Sequence, residues 1–283
     1  MSILEIFILI AAFIFGAAFG SFACCQAWRI RLKEQGKKNP GKWSVCLSCG
    51  KRLGASENIP IISWLIQKGK CKKCGAKIGA SEILSELGLG FSFVALAAYF
   101  IFSRTFVNLN LSELILNAAM ALILVAAIVA MWILLIYDAK WKLLPTKILV
   151  LVNILAAIYL LLNLTNAAVN HNLWSHLGKT LLDIFCSIGL LGGTYYSLYR
   201  FSGEKLVGGG DWLLALAISL ILGSWWLALA TLFLSNFLGS IIGVFAKFKN
   251  HQKTIAFGPF LVIAFIAVYV CKDWLLSLAV GLF

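Results

Sequence analysis

Two aspartates, Asp138 and Asp211, each stand beside a long apolar run, where an ionisable side chain is costly and is functional by default. If the fold brings them to about 3 Å from one another, the two carboxyl groups share one proton, because both cannot ionise cheaply. The ionised group can then take a proton from water while the protonated group polarises a peptide carbonyl. The pair therefore predicts aspartic-protease chemistry, which needs no serine, histidine or cofactor.

Glycines and a proline surround these acids. Gly208, Gly209 and Gly210 directly precede the second aspartate, and Pro145 follows the first by seven residues. Glycine lets the backbone bend and leaves room for another chain, so the glycines predict an irregular segment that an extended substrate strand can approach. Proline is expected to end the turn after the first acid and to begin the next helix. We expect all four residues to lie along the approach of the substrate.

Each acid also has an ordinary structural explanation. Asp211 is placed to cap the helix that follows it, and Asp138 can pair with Lys142 across one helical turn. The histidines offer no alternative catalyst, because none has an evident triad partner. They are His171, His176 and His251.

Four cysteines form two C-x-x-C pairs in the long polar loop of the chain. Cys46 and Cys49 make the first pair, Cys71 and Cys74 the second, and a glycine follows each pair. Two such pairs about twenty residues apart are typical of a four-cysteine zinc site. The flanking sequences, CLSCGKRLGASE and CKKCGAKIGASE, agree at seven of twelve positions, which predicts two similar knuckles that share one ion. A redox or fortuitous cysteine cluster is the alternative.

The elements that must position these residues are membrane helices. Of the 283 residues, 61% are hydrophobic and only 12% are charged, a composition that excludes an ordinary soluble domain. A spanning helix needs about 20 apolar residues, and the sequence has eight apolar runs, of which the sixth and eighth are short. The runs cover residues 6–28, 83–102, 114–137, 148–164, 177–199, 212–222, 225–245 and 257–271.

We therefore predict an all-α, polytopic membrane bundle of about eight helices with a cytoplasmic zinc-binding loop. Residues 1–28 form the first helix, without a signal-peptide cleavage pattern, residues 29–82 the loop, and residues 83–283 the bundle that carries the acids. Of the 24 lysines and arginines, 13 lie between residues 29 and 77 and eight more in loops on the same side. The positive-inside rule places this side in the cytoplasm, with both termini outside and both acids at the cytoplasmic edge.

The basic loop predicts membrane lipid as a partner, through anionic headgroups. Its apolar and aromatic middle, residues 58–65, can either cover the metal site or lie on the membrane surface. Nucleic acid is not expected as a partner, because the loop is tethered to the bilayer and lacks an evident stacking platform for bases.

The ordered set of motifs resembles one family, the prepilin peptidases, which are the type IV leader peptidases of the GxGD aspartic protease group. The resemblance runs nearly from end to end of the chain. Besides the two cysteine pairs, it rests on Gly20-Ser-Phe22, Asn58-Ile-Pro60 with Ser63-Trp64, Asp138 with Leu144-Pro145, Gly208-Gly-Gly-Asp211 and Phe257-Gly-Pro-Phe-Leu261.

The resemblance implies a concrete activity in the cell inner membrane. Such enzymes remove the short basic leader of type IV prepilins and of related pseudopilins of secretion machines, on the cytoplasmic side and after a glycine. Asp138 and Asp211 take the positions of the two catalytic aspartates. Many members also methylate the new N-terminal amine with S-adenosylmethionine, and the cysteine loop occurs in members with that second activity. No motif for S-adenosylmethionine stands out in the sequence.

Three departures from the family pattern are visible. Thr146 stands where an aspartate often follows Leu-Pro, and Leu213 stands where a lysine often follows the second catalytic aspartate by two residues. The asparagine that is often found after Gly-Ser-Phe is missing, and Ala23-Cys-Cys-Gln26 stands there instead. The first two changes touch the rim of the expected site and put fine substrate preference in doubt, but they spare both aspartates.

Two other functional classes compete with the peptidase. A proton-coupled transporter also carries acids in the membrane, but it predicts inverted repeats and acids near the bilayer centre. A membrane-tethered zinc adaptor without catalysis predicts that both aspartates can be replaced without effect. The repeat found here lies in the polar loop, and both acids stand at the edge of apolar runs, so the peptidase is favoured.

Overall fold

A computed structural model describes residues 2–36, 41, 43–46, 48–103, 105–107, 109–170, 173–203, 207–250 and 256–282, with side chains left out at 169–170, 173–177, 246–250 and 280–282. His171, His251 and the side chain of His176 therefore lie outside the described residues. Over these ranges the chain is helical, and the β pairing present consists of isolated bridges. The predicted all-α class is confirmed. The chain divides into two compact units, Met1–Ser103 and Arg104–Phe283.

The first unit is built on two long helices that pack along each other, α1 (Ile3–Glu34) and α3 (Ala80–Phe102), with a short helix, α2 (Ile62–Ile66), between them in the loop. Small residues let the backbones approach closely. A Cβ atom added at Gly16 would lie 2.7 Å from the Leu89 carbonyl oxygen. Glycine at position 16 therefore allows this face of α1 to lie directly against the backbone of α3.

Replacing Gly16 with valine is expected to destabilise the first unit. The new side chain would have to push α1 away from α3, and overpacking of this kind costs about 1–3 kcal/mol. The check is the unfolding midpoint of the purified protein in detergent, measured by circular dichroism. Ala11→Val is the matched control, because Ala11 lies on an exposed face of the same helix; equal midpoints for the two variants would contradict the close approach.

The second unit contains the remaining described helices, and α4 forms its centre. They are α4 (Leu111–Trp141), α5 (Thr146–Asn170), α6 (Leu173–Ser187), a π-helical stretch (Ile188–Gly193), α7 (Thr194–Ser202), α8 (Gly209–Leu222), α9 (Trp225–Asn250), α10 (Gly258–Val270) and α11 (Lys272–Leu282). Buried side chains run through the second half of α4, up to Asp138. Helix α5 packs against α4 and α8, and α10 packs against α4, α8 and α9.

The number of spanning helices is slightly lower than the predicted number of about eight. Six described helices are long and apolar enough to cross a membrane, when Gly178–Ser202, which runs from α6 through the π-helical stretch to α7, is counted as one. Helices α10 and α11 make a seventh if that pair, bent by 72°, is one span. Helix α8 has only 14 residues, because it begins at Gly209 and ends before Gly223, whose φ of +59° stops the helix. Most of α8 is buried in protein, so it does not need the length of a lipid-facing span.

Candidate active site and cysteine cluster

Asp138 is buried near the C-terminus of α4 and is held by the start of α10. The residue is 5% exposed, and its Oδ2 atom accepts a hydrogen bond of 2.9 Å from the backbone N–H of Gly258. The N-terminus of a helix carries unpaired N–H groups and partial positive charge, which favour an anion. A Cβ atom added at position 258 would lie 2.8 Å from the same oxygen. Glycine is therefore required where α10 meets the carboxylate.

Asp211 is the third residue of α8 and is 7% exposed. Its Oδ2 atom accepts a hydrogen bond of 3.1 Å from the backbone N–H of Gly208, the N-cap residue. The capping interaction considered from the sequence is therefore present, but it occupies one oxygen only. The Oδ1 atom is buried and has no hydrogen-bond partner among the described residues. A buried, unpaired carboxylate oxygen is costly, which points to a role beyond capping.

The C-terminal end of α4 and the N-terminal ends of α8 and α10 bring the two acids to the same end of the second unit. The charge of Asp211 acts on Asp138, although α4 and α8 are joined mainly through α5 and α10, which pack against both. The connection after α4 also contacts the start of α8, because a Cβ atom added at Gly210 would lie 2.6 Å from Cβ of Leu144. The arrangement provides what two-carboxyl chemistry needs: buried acids, close enough to interact, each oriented by a backbone N–H group.

The glycines before Asp211 do not form the irregular segment that the sequence predicts. Gly208 is extended, with φ −74° and ψ 155°, but Gly209 and Gly210 already lie in the first turn of α8. Packing explains their small size: a Cβ atom added at Gly209 would lie 3.3 Å from the ring of Tyr199, and one added at Gly210 would lie against Leu144. A helix can begin at these residues because its first N–H groups need no partner within the helix.

Pro145 is buried immediately before α5, and its carbonyl oxygen accepts from the N–H groups of Ile148 and Leu149 at 3.0 and 3.2 Å. The expected turn after the first acid is confirmed. It is made by Lys142, which closes α4 in the left-handed conformation at φ 54°. Pro145 thus fixes the direction in which the chain leaves the site and the position of its neighbour Leu144.

The two cysteine pairs fold into the similar knuckles that their repeat predicts. In each knuckle the glycine N–H donates to the carbonyl of the first cysteine, at 2.8 Å for Gly50 and 2.9 Å for Gly75. Both glycines have φ of +68°, a conformation that favours glycine. The GASE ends of the repeats have a role that the sequence reasoning missed: each begins a helical turn, the 3₁₀ turn Ala55–Glu57 and helix α3.

The four thiols converge. Their sulfur atoms lie within 4.8 Å of one another, and the Sγ atoms of Cys46 and Cys74 are 3.8 Å apart. Tetrahedral ligands at the usual Zn–S distance of about 2.3 Å would have sulfur atoms about 3.8 Å apart. Cys46, Cys49, Cys71 and Cys74 are therefore already arranged as a set that can hold a metal ion.

The electrostatics of the cluster also favour a cation. The backbone N–H groups of Cys74 and Lys73 lower the pKa of the Cys71 thiol to about 6. The N–H of Ala76 favours a thiolate at Cys74 as well, but desolvation and hydrogen bonds to the neighbouring thiols outweigh it and raise the pKa of Cys74 to about 11. A thiolate therefore forms readily at Cys71, whereas deprotonation of the neighbouring thiol of Cys74 is disfavoured. A divalent ion removes that resistance, because it binds cysteines as thiolates.

Comparison with known proteins shows the family to which the chain belongs. Residues 14–100 match the family model described as Bacterial Peptidase A24 N-terminal domain. The prepilin leader peptidase/N-methyltransferase of Dichelobacter nodosus is 30% identical over 224 residues, which cover 78% of this chain and 68% of that protein. The chain belongs to the prepilin leader peptidase/N-methyltransferase family. The protein of that name from Aeromonas hydrophila is 30% identical over 230 residues (78% and 69%), and that from Bacillus subtilis (strain 168) is 29% identical over 268 residues (94% and 95%). No solved structure matches the chain.

The structure of this family member adds residues to the site that the sequence reasoning did not assign. Gly258 appears in the sequence only as part of the Phe257–Leu261 motif, with no link to Asp138. Tyr195 was not singled out at all; its ring lies 5.4 Å from that of Phe257, and its hydroxyl is hydrogen-bonded to Ser235 at 3.1 Å. Tyr195 thus packs against Phe257, the residue at the start of α10. These contacts join residues that are far apart in the chain, so no local pattern in the sequence indicates them.

Proposed function

We propose that the protein is a membrane aspartic endopeptidase that removes the basic leader of type IV prepilins or pseudopilins after a glycine. The observation that supports the proposal is that Asp138 and Asp211 are both buried at one end of the second unit, where the charge of Asp211 acts on Asp138. One carboxylate oxygen of Asp211 is also unpaired among the described residues. The names of the relatives support the substrate class.

The proposed reaction uses the pair as one acid and one base. The two carboxyl groups hold a single proton between them. The ionised group takes a proton from a water molecule as its oxygen attacks the scissile carbonyl carbon, and the protonated group gives its proton to the carbonyl oxygen. The resulting diol collapses as the C–N bond breaks. As that bond breaks, the carboxyl group that took the proton from water gives it to the leaving amine. The other carboxylate takes the proton of a diol hydroxyl, so the pair again holds one shared proton.

The approach of substrate runs past Gly208 in this proposal. Gly208 is exposed and extended, and the atom nearest to a Cβ added there is Oδ2 of Asp211 at 3.4 Å. An extended scissile strand can therefore come close to the acid at this residue. Gly209, Gly210 and Pro145 contribute indirectly, since they fix α8 and Leu144 in place.

The proposed location is the inner membrane, with the acids on the cytoplasmic side and both termini outside. The apolar helices indicate a multi-pass membrane protein, and the distribution of lysine and arginine supports the orientation. The basic leader of a prepilin would then meet the enzyme on the side where it is made.

The names of the relatives include a second activity, N-methylation, and we extend it to this protein. The free amine left by cleavage would attack the methyl carbon of S-adenosylmethionine. The C–S bond breaks, S-adenosylhomocysteine leaves, and the amine gives up a proton. No residues are assigned to the methyl donor.

Incubation of the purified protein with a prepilin tests both activities. Mass spectrometry of the product is expected to show loss of the leader after glycine and, when S-adenosylmethionine is added, the mass of one further methyl group. An intact prepilin would contradict the peptidase and favour a transporter or a zinc adaptor. Cleavage without the added methyl group would restrict the protein to the first activity.

We also propose zinc as the ion of the cysteine cluster. The four-sulfur set is closed and leaves no position for catalysis, so the ion would be structural. Between residues 35 and 79, Cys71 is the one buried hydrophobic residue that the structure describes. The loop therefore lacks an apolar core of its own, and the ion would supply much of its folding free energy.

The purified protein is accordingly expected to contain one zinc ion per chain by elemental analysis. Cys71→Ser removes one ligand from the closed set, and the zinc content should fall by more than about tenfold. Cys271→Ser is the matched control, because Cys271 is an exposed cysteine outside the cluster. A wild-type protein without zinc and with four reactive loop thiols would rule out the ion.

A further inference from the structure

The segment between the two knuckles presents an apolar patch on the first unit. Ile59, Ile62, Leu65 and Ile66, which we call the knuckle patch, are 44%, 54%, 58% and 70% exposed. They lie on and just before α2, while Trp64 turns inward and packs against Gly69. Large aliphatic side chains gathered on a surface mark a site of interaction.

A buried carboxylate holds this patch against the long helices. The backbone N–H of Ile61 donates to Oε2 of Glu86 at 2.6 Å, and Glu86, on α3, is 7% exposed. The hydroxyl of Ser21, on α1, also bonds to Glu86. Ile61 has φ of +64°, which a β-branched residue adopts only when its surroundings impose it. Glu86 therefore sets the position of the patch relative to α1 and α3.

The position of this attachment along α1 and α3 gives its distance from the far end of each helix, and so its depth relative to a bilayer that both helices cross. Ser21 lies 18 residues after the start of α1 at Ile3, or about 27 Å along the helix, and Glu86 lies 16 residues before the end of α3 at Phe102, or about 24 Å. The hydrocarbon core of a bilayer is about 30 Å thick. Both helices thus place the N–H of Ile61 close to one boundary of the hydrocarbon region.

The charge around the patch fits an anionic surface. Five exposed lysines lie in the stretch that follows the patch along the chain: Lys68, Lys70, Lys72, Lys73 and Lys77. Basic side chains beside exposed aliphatic ones are the pattern of segments that lie in the interface of anionic membranes.

We propose that the knuckle patch inserts into the interface of the anionic leaflet beside α1 and α3, with the lysines on the lipid headgroups. Height and charge together favour lipid over a protein partner. The consequence is that the metal knuckles, which flank the patch in sequence, are held at a fixed height above the bilayer. This inference does not depend on catalysis.

Photocrosslinking in vesicles tests the contact directly. The full chain, with p-benzoylphenylalanine in place of Ile62, is reconstituted in vesicles of phosphatidylethanolamine and phosphatidylglycerol, with and without a prepilin, and irradiated. Mass spectrometry should find mainly lipid adducts, several times more than when the label replaces Ala55, which is exposed in the same loop but outside the patch. Dominant adducts to the prepilin or to residues 104–283, or equal lipid yields at both positions, would overturn the proposal.

Two further comparisons test the roles that the proposal gives to the lysines and to Glu86. In vesicles of phosphatidylcholine alone the lipid adducts at position 62 should fall at least about twofold, because the lysines lose their anionic partners; an unchanged yield would overturn the role of the lysines. Glu86→Ala should reduce the adducts as well, whereas Glu86→Gln, which keeps an acceptor for the N–H of Ile61, should retain them. Equal yields in the two variants would overturn the role of Glu86 as the attachment.

Discussion

Replacing either Asp138 or Asp211 with asparagine is expected to reduce prepilin cleavage by at least about a thousandfold. Asparagine has nearly the same shape and can still accept the hydrogen bond from Gly258 or from Gly208. It cannot exchange the shared proton, so neither the activation of water nor the protonation of the carbonyl can proceed. The measurement is the rate of leader removal from a prepilin in detergent, with the amount of intact protein in the membrane fraction matched between variants.

Asp183→Asn provides the control for this experiment. Asp183 also lies in an apolar helix, α6, but it is only half-buried. Its replacement tests the general effect of removing an acid from the bundle, and cleavage should remain within about twofold of the wild-type rate, as for most surface substitutions. Wild-type cleavage by either Asp138→Asn or Asp211→Asn would refute the two-carboxyl mechanism.

The sequence predicted those parts of the structure that depend on local chemistry. The cysteine knuckles follow from residues a few positions apart, and the spacing of Cys46 and Cys49, with glycine next, already implies the turn. The helical class follows from the long apolar runs. The two aspartates could be singled out because a carboxylate beside an apolar run is rare, whatever its neighbours are.

The sequence failed where packing between distant residues decides the structure. The glycines before Asp211 predicted an irregular segment, but Gly210 is small because Leu144 packs against it from a connection 66 residues earlier. The number of spans is slightly lower than the predicted number of about eight, because hydropathy alone does not distinguish a run buried inside protein, such as α8, from a lipid-facing run. Both differences concern which surface a side chain meets, and a single sequence does not contain that information.

The contact between Asp138 and Gly258 spans 120 residues and leads to the second prediction of large effect. Gly258→Ala keeps the N–H donor, but the new Cβ atom would lie 2.8 Å from Oδ2 of the acid. Either the carboxylate or the start of α10 must move by several tenths of an ångström or more. A misplacement of about 1 Å at a catalytic group costs about a hundredfold in rate, so we expect kcat to fall by about that factor with KM little changed.

Gly178→Ala is the matched control for this variant. Gly178 also lies in a helix, but no atom lies within 4 Å of a Cβ added there, and alanine in a helix interior is favoured over glycine by about 1 kcal/mol. This variant should cleave as the wild type does. If Gly258→Ala also did so, the backbone of α10 would not be what positions Asp138. A rise in KM alone would instead place Gly258 in the path of the substrate. A fall in kcat alone, at normal protein levels, is the outcome that follows from α10 acting as a fixed support for the catalytic carboxylate.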